Sequence, residues 1–163
     1  MIDGKSAAPT NAVRIPYGKT VHGEEEIAAV TAVLRGSTQM GASVRAFEGK
    51  IASLFAKRHG IMVNSGSSAN YLAVEVLGLP PEAEVITPVL TFGTTVAPLV
   101  KNGLIPAFVD VERDTFNIDV DKIEAAIGPK TRAMMIPSLI GNLPDWDAIA
   151  AIARRHDLYV IED

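Results

Sequence analysis

The sequence contains no cysteine. Disulfides, thiolate metal centres and cysteine nucleophiles are therefore excluded, while the redox compartment stays open, since a chain without thiols suits any of them. No apolar run approaches the roughly 20 residues needed to span a bilayer. Residues 1–9 also lack the apolar stretch of a secretory signal, so the expected location is the cytoplasm, with no membrane partner. An excess of positive charge is missing too: the net charge of −4 gives no electrostatic reason to bind nucleic acid. His22, His59 and His156 are scattered without metal-ligand spacing, and no metal site is expected. Neither a G-x-S-x-G elbow nor the glycine patterns of dinucleotide and P-loop sites occur.

What is present is a chain of 163 residues, 48% hydrophobic and 21% charged, enough for one globular domain with a buried core. Ile27, Val30 and Leu34 share one helical face over Glu24 to Arg35, with three glutamates at the start and Gly36 as a stop. A second helix is expected from Ser43 to Arg58, closed by Gly60. Beyond it the pattern changes to short apolar runs at 61–63, 84–87, 105–109, 133–137 and 158–161. Helical stretches fall between them near 68–77, 94–102, 121–127 and 145–156. This alternation predicts an α/β fold whose five strands form a mainly parallel sheet with flanking helices. Residues 1–22 read as an N-terminal arm, and 23–163 as one unit without an internal boundary.

Ligands of parallel sheets collect beyond the carboxyl ends of the strands, and three segments there could carry chemistry. Asn64 to Asn70 follows an apolar run and opens a helix, so the amides and hydroxyls of Gly66, Ser67 and Ser68 can converge on an anion such as a phosphate. The same residues also suit an ordinary turn with Ser68 as a cap. Phe92 closes the segment after the second run, where its ring either stacks on a flat cofactor or packs in the core. Asp163 directly follows an inner strand, where a carboxylate wants a cationic or hydrogen-bonding partner such as a protonated pyridine nitrogen. The competing reading is an acid in a solvated loop. Glu162 faces the opposite way along a strand.

Taken in order, Glu24-Glu25-Glu26-Ile27, Thr38-x-x-Gly41, Asn64 to Ala69, Thr91-Phe92, Phe108 to Val111, Thr115 to Asp119 and Val160 to Asp163 resemble the DegT/DnrJ/StrS sugar aminotransferases. That family is a branch of the pyridoxal 5'-phosphate (PLP) enzymes with the aspartate-aminotransferase fold. The resemblance implies that Gly66, Ser67 and Ser68 bind the cofactor phosphate, that Phe92 stacks on its ring and that Asp163 pairs with its pyridine nitrogen. It implies a nucleotide-linked sugar as substrate and a homodimer as the working form. The segment Ile136-Pro137-Ser138-Leu139-Ile140-Gly141-Asn142 lacks the histidine that many of the aminotransferases carry after this strand. With Gln39-Met40-Gly41 and residues 87–95 it is closer to the dehydratase branch, which removes a sugar 3-hydroxyl and has a histidine in place of the Schiff-base lysine.

Neither that lysine nor its histidine substitute is matched by any residue here, so no catalytic residue is assigned, and Lys101, Lys122 and Lys130 stand in contexts that do not fit. The sequence is accordingly expected to be the N-terminal part of such an enzyme, inactive by itself and limited to weak, reversible binding of PLP or of its amine form, pyridoxamine 5'-phosphate (PMP). The parent reaction is expected to be transamination or C3 dehydration of a 4-keto-6-deoxy nucleotide sugar for polysaccharide or deoxysugar synthesis. Two alternatives of another class are a non-catalytic domain that binds a phosphate ligand or partner chain, and an unrelated α/β binding protein.

Overall fold

The computed structural model describes Val13, Pro16, Gly18–Gln39 and Gly41–Asp163. Most of the expected arm at 1–22, and Met40, lie outside the described residues. The chain divides into two compact units, Met1–Gly60 and Ile61–Asp163.

The first unit carries two helices, α1 (Glu24–Arg35) and α2 (Ala42–Leu54). Helix α1 begins where the glutamates favour it, with the Gly23 amide donating to Glu26 Oε2 at 2.6 Å, and it stops at Gly36. Helix α2 ends earlier than Arg58, because Ala56 turns left-handed at φ 51°.

The second unit runs α3 (Gly66–Glu75), β1 (Glu84–Pro88), α4 (Gly93–Lys101), β2 (Ile105–Val109), β3 (Thr131–Ile136), α5 (Trp146–His156) and β4 (Tyr159–Glu162). All neighbouring strands pair in parallel, in the order β2-β1-β3-β4. The expected fifth strand at Ile61–Val63 does not form. A strand needs a neighbour for its backbone groups, and no described strand lies beside this one. The stretch expected to be helical at 121–127 forms two 3-10 turns, Val120–Lys122 and Glu124–Ala126, followed closely by Gly128 and Pro129.

Strands buried on both faces read as continuous apolar runs, and side-chain alternation along them divides the core in two. On one face Ile86, Met134 and Ile136 pack with Val109, Ile118, Ile123, Ile149 and Ile152. On the other, Val85, Ala133 and Met135 pack with Val74 of α3 and Leu99 of α4. Helices thus cover both sides of β1 and β3. The second face holds α3 and α4, and Ile161 joins it, which puts Asp163, two residues on, on that same face.

Helix α5 is fixed at its start by Asp145, whose Oδ1 accepts from the Ala148 amide at 3.0 Å. Asp145→Ala is expected to cost about 1 kcal/mol of stability in chemical denaturation, whereas Asp147→Ala, which removes only a charge near the dipole, costs a few tenths of that. Equal effects would show that the cap contributes nothing of its own.

Candidate functional site

Three loops converge at the carboxyl edge of the sheet: the entry to α3, the turn from β1 to α4, and the end of β4. The entry to α3 is capped by Ser65, whose Oγ accepts from the Ser68 amide at 3.2 Å and donates to Ser68 Oγ at 3.1 Å. The cap therefore sits three residues before Ser68, the residue that the alternative reading of an ordinary turn had as cap, and the helix starts at Gly66. The Ala69 amide is bound to the Ser65 carbonyl. The Gly66 and Ser67 amides, in the first turn, have no acceptor among the described residues and lie at the positive end of the helix dipole. Apart from its chain neighbours and the backbone of its own helix, no atom lies within 4 Å of where a Gly66 Cβ would stand, so no other element crowds this turn there. Ser67 and Ser68 line a cleft of about 320 Å³ with Tyr71, Thr94, Ala97, Pro98 and Lys101.

The turn from β1 to α4 delivers Phe92 as the residue before the helix, with its side chain 66% exposed. Its carbonyl accepts from the Thr95 amide at 3.0 Å. Thr95 is buried in the inward stripe of α4 with Pro98 and Leu99.

Asp163 is held in register by the sheet itself: its amide donates to the Ile136 carbonyl at 3.0 Å, and its own carbonyl accepts from the Ser138 amide at 2.9 Å. Its side chain is gripped from both helices. Asn70 Nδ2 of α3 donates to Oδ1 at 2.8 Å, and Thr95 Oγ1 of α4 donates to Oδ2 at 2.6 Å. Asn70 Nδ2 also reaches the Thr94 carbonyl at 3.4 Å, and Thr91 Oγ1 donates to Thr95 Oγ1 at 2.9 Å.

The structure therefore links Asp163 to the helix that begins with Gly66, Ser67 and Ser68, and to the helix that Phe92 introduces. Asn70, Thr91 and Thr95 fall in segments named from the sequence but were given no individual role there. The available signal was Thr95, a polar residue in the apolar stripe of a short helix and so in need of a partner. Each of the three lysines set aside earlier has a partner of its own, and Lys101 finds it within the cleft beside Ser67 and Ser68. Lys101 Nζ lies 4.3 Å from the centre of the Tyr71 ring, Lys122 pairs with Asp119 at 2.9 Å, and Lys130 pairs with Glu82 at 3.2 Å. Asn142 donates to the Thr115 carbonyl at 2.7 Å, pinning the turn after β3, where Gly141 takes φ 86° in the left-handed region. Among the described residues no group of three or more acidic, His or Cys side chains could hold a metal ion, and no helix is long and apolar enough to cross a membrane.

The chain is 42% identical over 156 residues to dTDP-4-dehydro-2,6-dideoxy-D-glucose 3-dehydratase of Saccharopolyspora spinosa, a match covering 91% of this chain and 34% of that protein. The E. coli GDP-4-keto-6-deoxy-D-mannose-3-dehydratase with bound hydrated PLP superposes with a TM-score of 0.86 at 31% identity, over 93% of this chain and 41% of that one. NtdA of Bacillus subtilis with bound PMP superposes with a TM-score of 0.80 at 36% identity, over 85% of this chain and 32% of that one. The chain thus spans between about a third and two-fifths of the length of these relatives. A match to the DegT/DnrJ/EryC1/StrS aminotransferase family extends over residues 20–163, and the chain belongs to that family.

Proposed function

We propose that residues 23–163 form the first part of the cofactor-binding large domain of a PLP- or PMP-dependent enzyme, one that acts on a nucleotide-linked 4-keto-6-deoxy sugar. The observation that carries this reading is the Asp163 carboxylate, fixed at the carboxyl edge of the sheet by donors from two helices. The residues suit the group. The free Gly66 and Ser67 amides, with Ser68 beside them, would hold its phosphate, and no other element crowds Gly66 there. Phe92 would stack on the ring, being a large aromatic exposed at a sheet edge. Asp163 would accept from the pyridine N–H and keep that nitrogen protonated. When bound, the cofactor supplies an electron sink that stabilises negative charge on the attached substrate carbon.

The 3-dehydratases among the relatives, together with Gly141-Asn142 in place of a histidine motif, favour C3 deoxygenation over transamination. The enzyme is proposed to work in the cytoplasm as a homodimer, consistent with exposed apolar side chains such as Ile61, Leu72 and Val76.

The test is incubation of the full-length protein with PLP, an amino donor and a dTDP- or GDP-linked 4-keto-6-deoxy hexose, read by mass spectrometry. Loss of the 3-hydroxyl is expected. Gain of an amino group without that loss would assign transamination instead. An unchanged sugar and no cofactor uptake would overturn the reading.

A further inference from the structure

We infer that Asn70 and Thr95 are positioning residues that lock the Asp163 carboxylate in one orientation, and that Thr91 sets the direction of the Thr95 hydrogen bond. The inference rests on the cofactor site proposed above.

A carboxylate has two oxygens with about four acceptor directions between them. Asn70 occupies one on Oδ1 and Thr95 one on Oδ2, and the 2.6 Å separation of the latter pair falls in the range of a hydroxyl donating to a charged oxygen. Because the two donors come from different helices, rotation of the carboxylate about its own axis would break both bonds together.

The donor and acceptor roles have one consistent assignment. A threonine hydroxyl has a single proton. If Thr95 gives it to Asp163, the Thr95 oxygen is left as an acceptor, and Thr91 Oγ1 donates to it at 2.9 Å. Running the chain the other way would need a protonated acid. Asn70 is fixed by the same reasoning. Both groups near its Nδ2, Asp163 Oδ1 and the Thr94 carbonyl, are acceptors, so the amide nitrogen and not its oxygen must face them. All these contacts lie within the second unit.

Two acceptor directions on Asp163 then remain for a donor arriving at the strand end. The arrangement presents that donor with an acceptor already aimed, so binding spends nothing on ordering the side chain. A planar N–H donor, the ring nitrogen of the cofactor, would take one of these two fixed directions.

The test uses the full-length protein and PMP carrying 15N in its ring, which binds without a Schiff base. Three quantities are measured: the Kd for PMP, the 15N shift that reports ring protonation at mildly alkaline pH, and the melting temperature. Thr95→Val and Asn70→Leu are each expected to raise the Kd about tenfold or more and to move the ring nitrogen toward its neutral shift. Thr95→Ser, which restores the hydroxyl, returns both toward wild type. Thr91→Val, which leaves the Thr95 hydroxyl in place without its donor, gives a smaller change of the same sign. Melting curves identify any variant that fails to fold, and Thr91→Val at its half-buried site carries the test if Thr95→Val does fail. Wild-type Kd and wild-type ring shift in folded variants would overturn the inference while leaving the cofactor site intact. A wild-type protein that binds no PMP would overturn both.

Discussion

On the proposed reading, replacement of Asp163 by Asn in the full-length protein is expected to lower turnover by about 10²–10³-fold, the range seen when one preorganised electrostatic contact to a developing charge is lost. The substitution keeps the size of the side chain and one oxygen, so the fold should survive it. What changes is charge. A neutral amide cannot stabilise a protonated pyridine nitrogen as a carboxylate does, and the new NH2 would face a donor on either side, Asn70 Nδ2 or Thr95 Oγ1. Cofactor affinity should fall as well, by about 10–100-fold, in keeping with a hydrogen bond to a charged group. Asp163→Glu provides the contrast: it keeps the charge but extends the side chain by one methylene, misplacing the acceptor. Steady-state kinetics with equilibrium dialysis of the cofactor separates the two contributions. Turnover of Asp163→Asn within a factor of three of wild type would remove Asp163 from the site.

The second large effect belongs to the core. Ile86→Ala, in the central strand β1, is expected to cost about 3–5 kcal/mol, a sizeable part of a total stability on the order of 5–15 kcal/mol. Ile86 is fully buried and packs with Val109, Ile118, Met134 and Ile149, elements that reach it from β2, β3, α5 and the loop after β2. With so many neighbours fixed by hydrogen-bonded strands, the cavity left by the deleted atoms cannot collapse. Val160→Ala, at a 40% exposed position of edge strand β4, should cost less than about 1 kcal/mol. Equal losses in denaturant titrations of the two variants would contradict the burial described.

Much of the second unit was legible in the residues. The runs at 84–87, 105–109, 133–137 and 158–161 became strands within two residues of those limits, because their neighbours along the sheet supply pairing. The run at 61–63 has the same local character but lacks a described neighbour, and pairing is not a local property. The 121–127 segment kept its inward Ile123 while giving up α geometry. Of the site, the residues at strand ends and at the helix entry could be picked out, since strand polarity determines where a parallel sheet gathers its ligands. The partners of Asp163 could not. Asn70 and Thr95 lie 93 and 68 residues from it in sequence, and no periodicity in a short window encodes a contact of that span.

Those separations also determine when the site can exist. During synthesis the α3 entry and the turn bearing Phe92 emerge well before Asp163, and β1 can pair with β2 while β4 is still to be made. Closing a loop of 93 residues by flexible-chain statistics costs more entropy than closing the short crossover between β1 and β2, and contacts of long span form slowly. The clamp on Asp163 therefore closes only after β4 has docked beside β3. A nascent chain can offer an anion its helix terminus early, yet the Asp163 carboxylate has no fixed orientation until that docking is complete, so on the proposed reading cofactor affinity rises at that step rather than growing with each element.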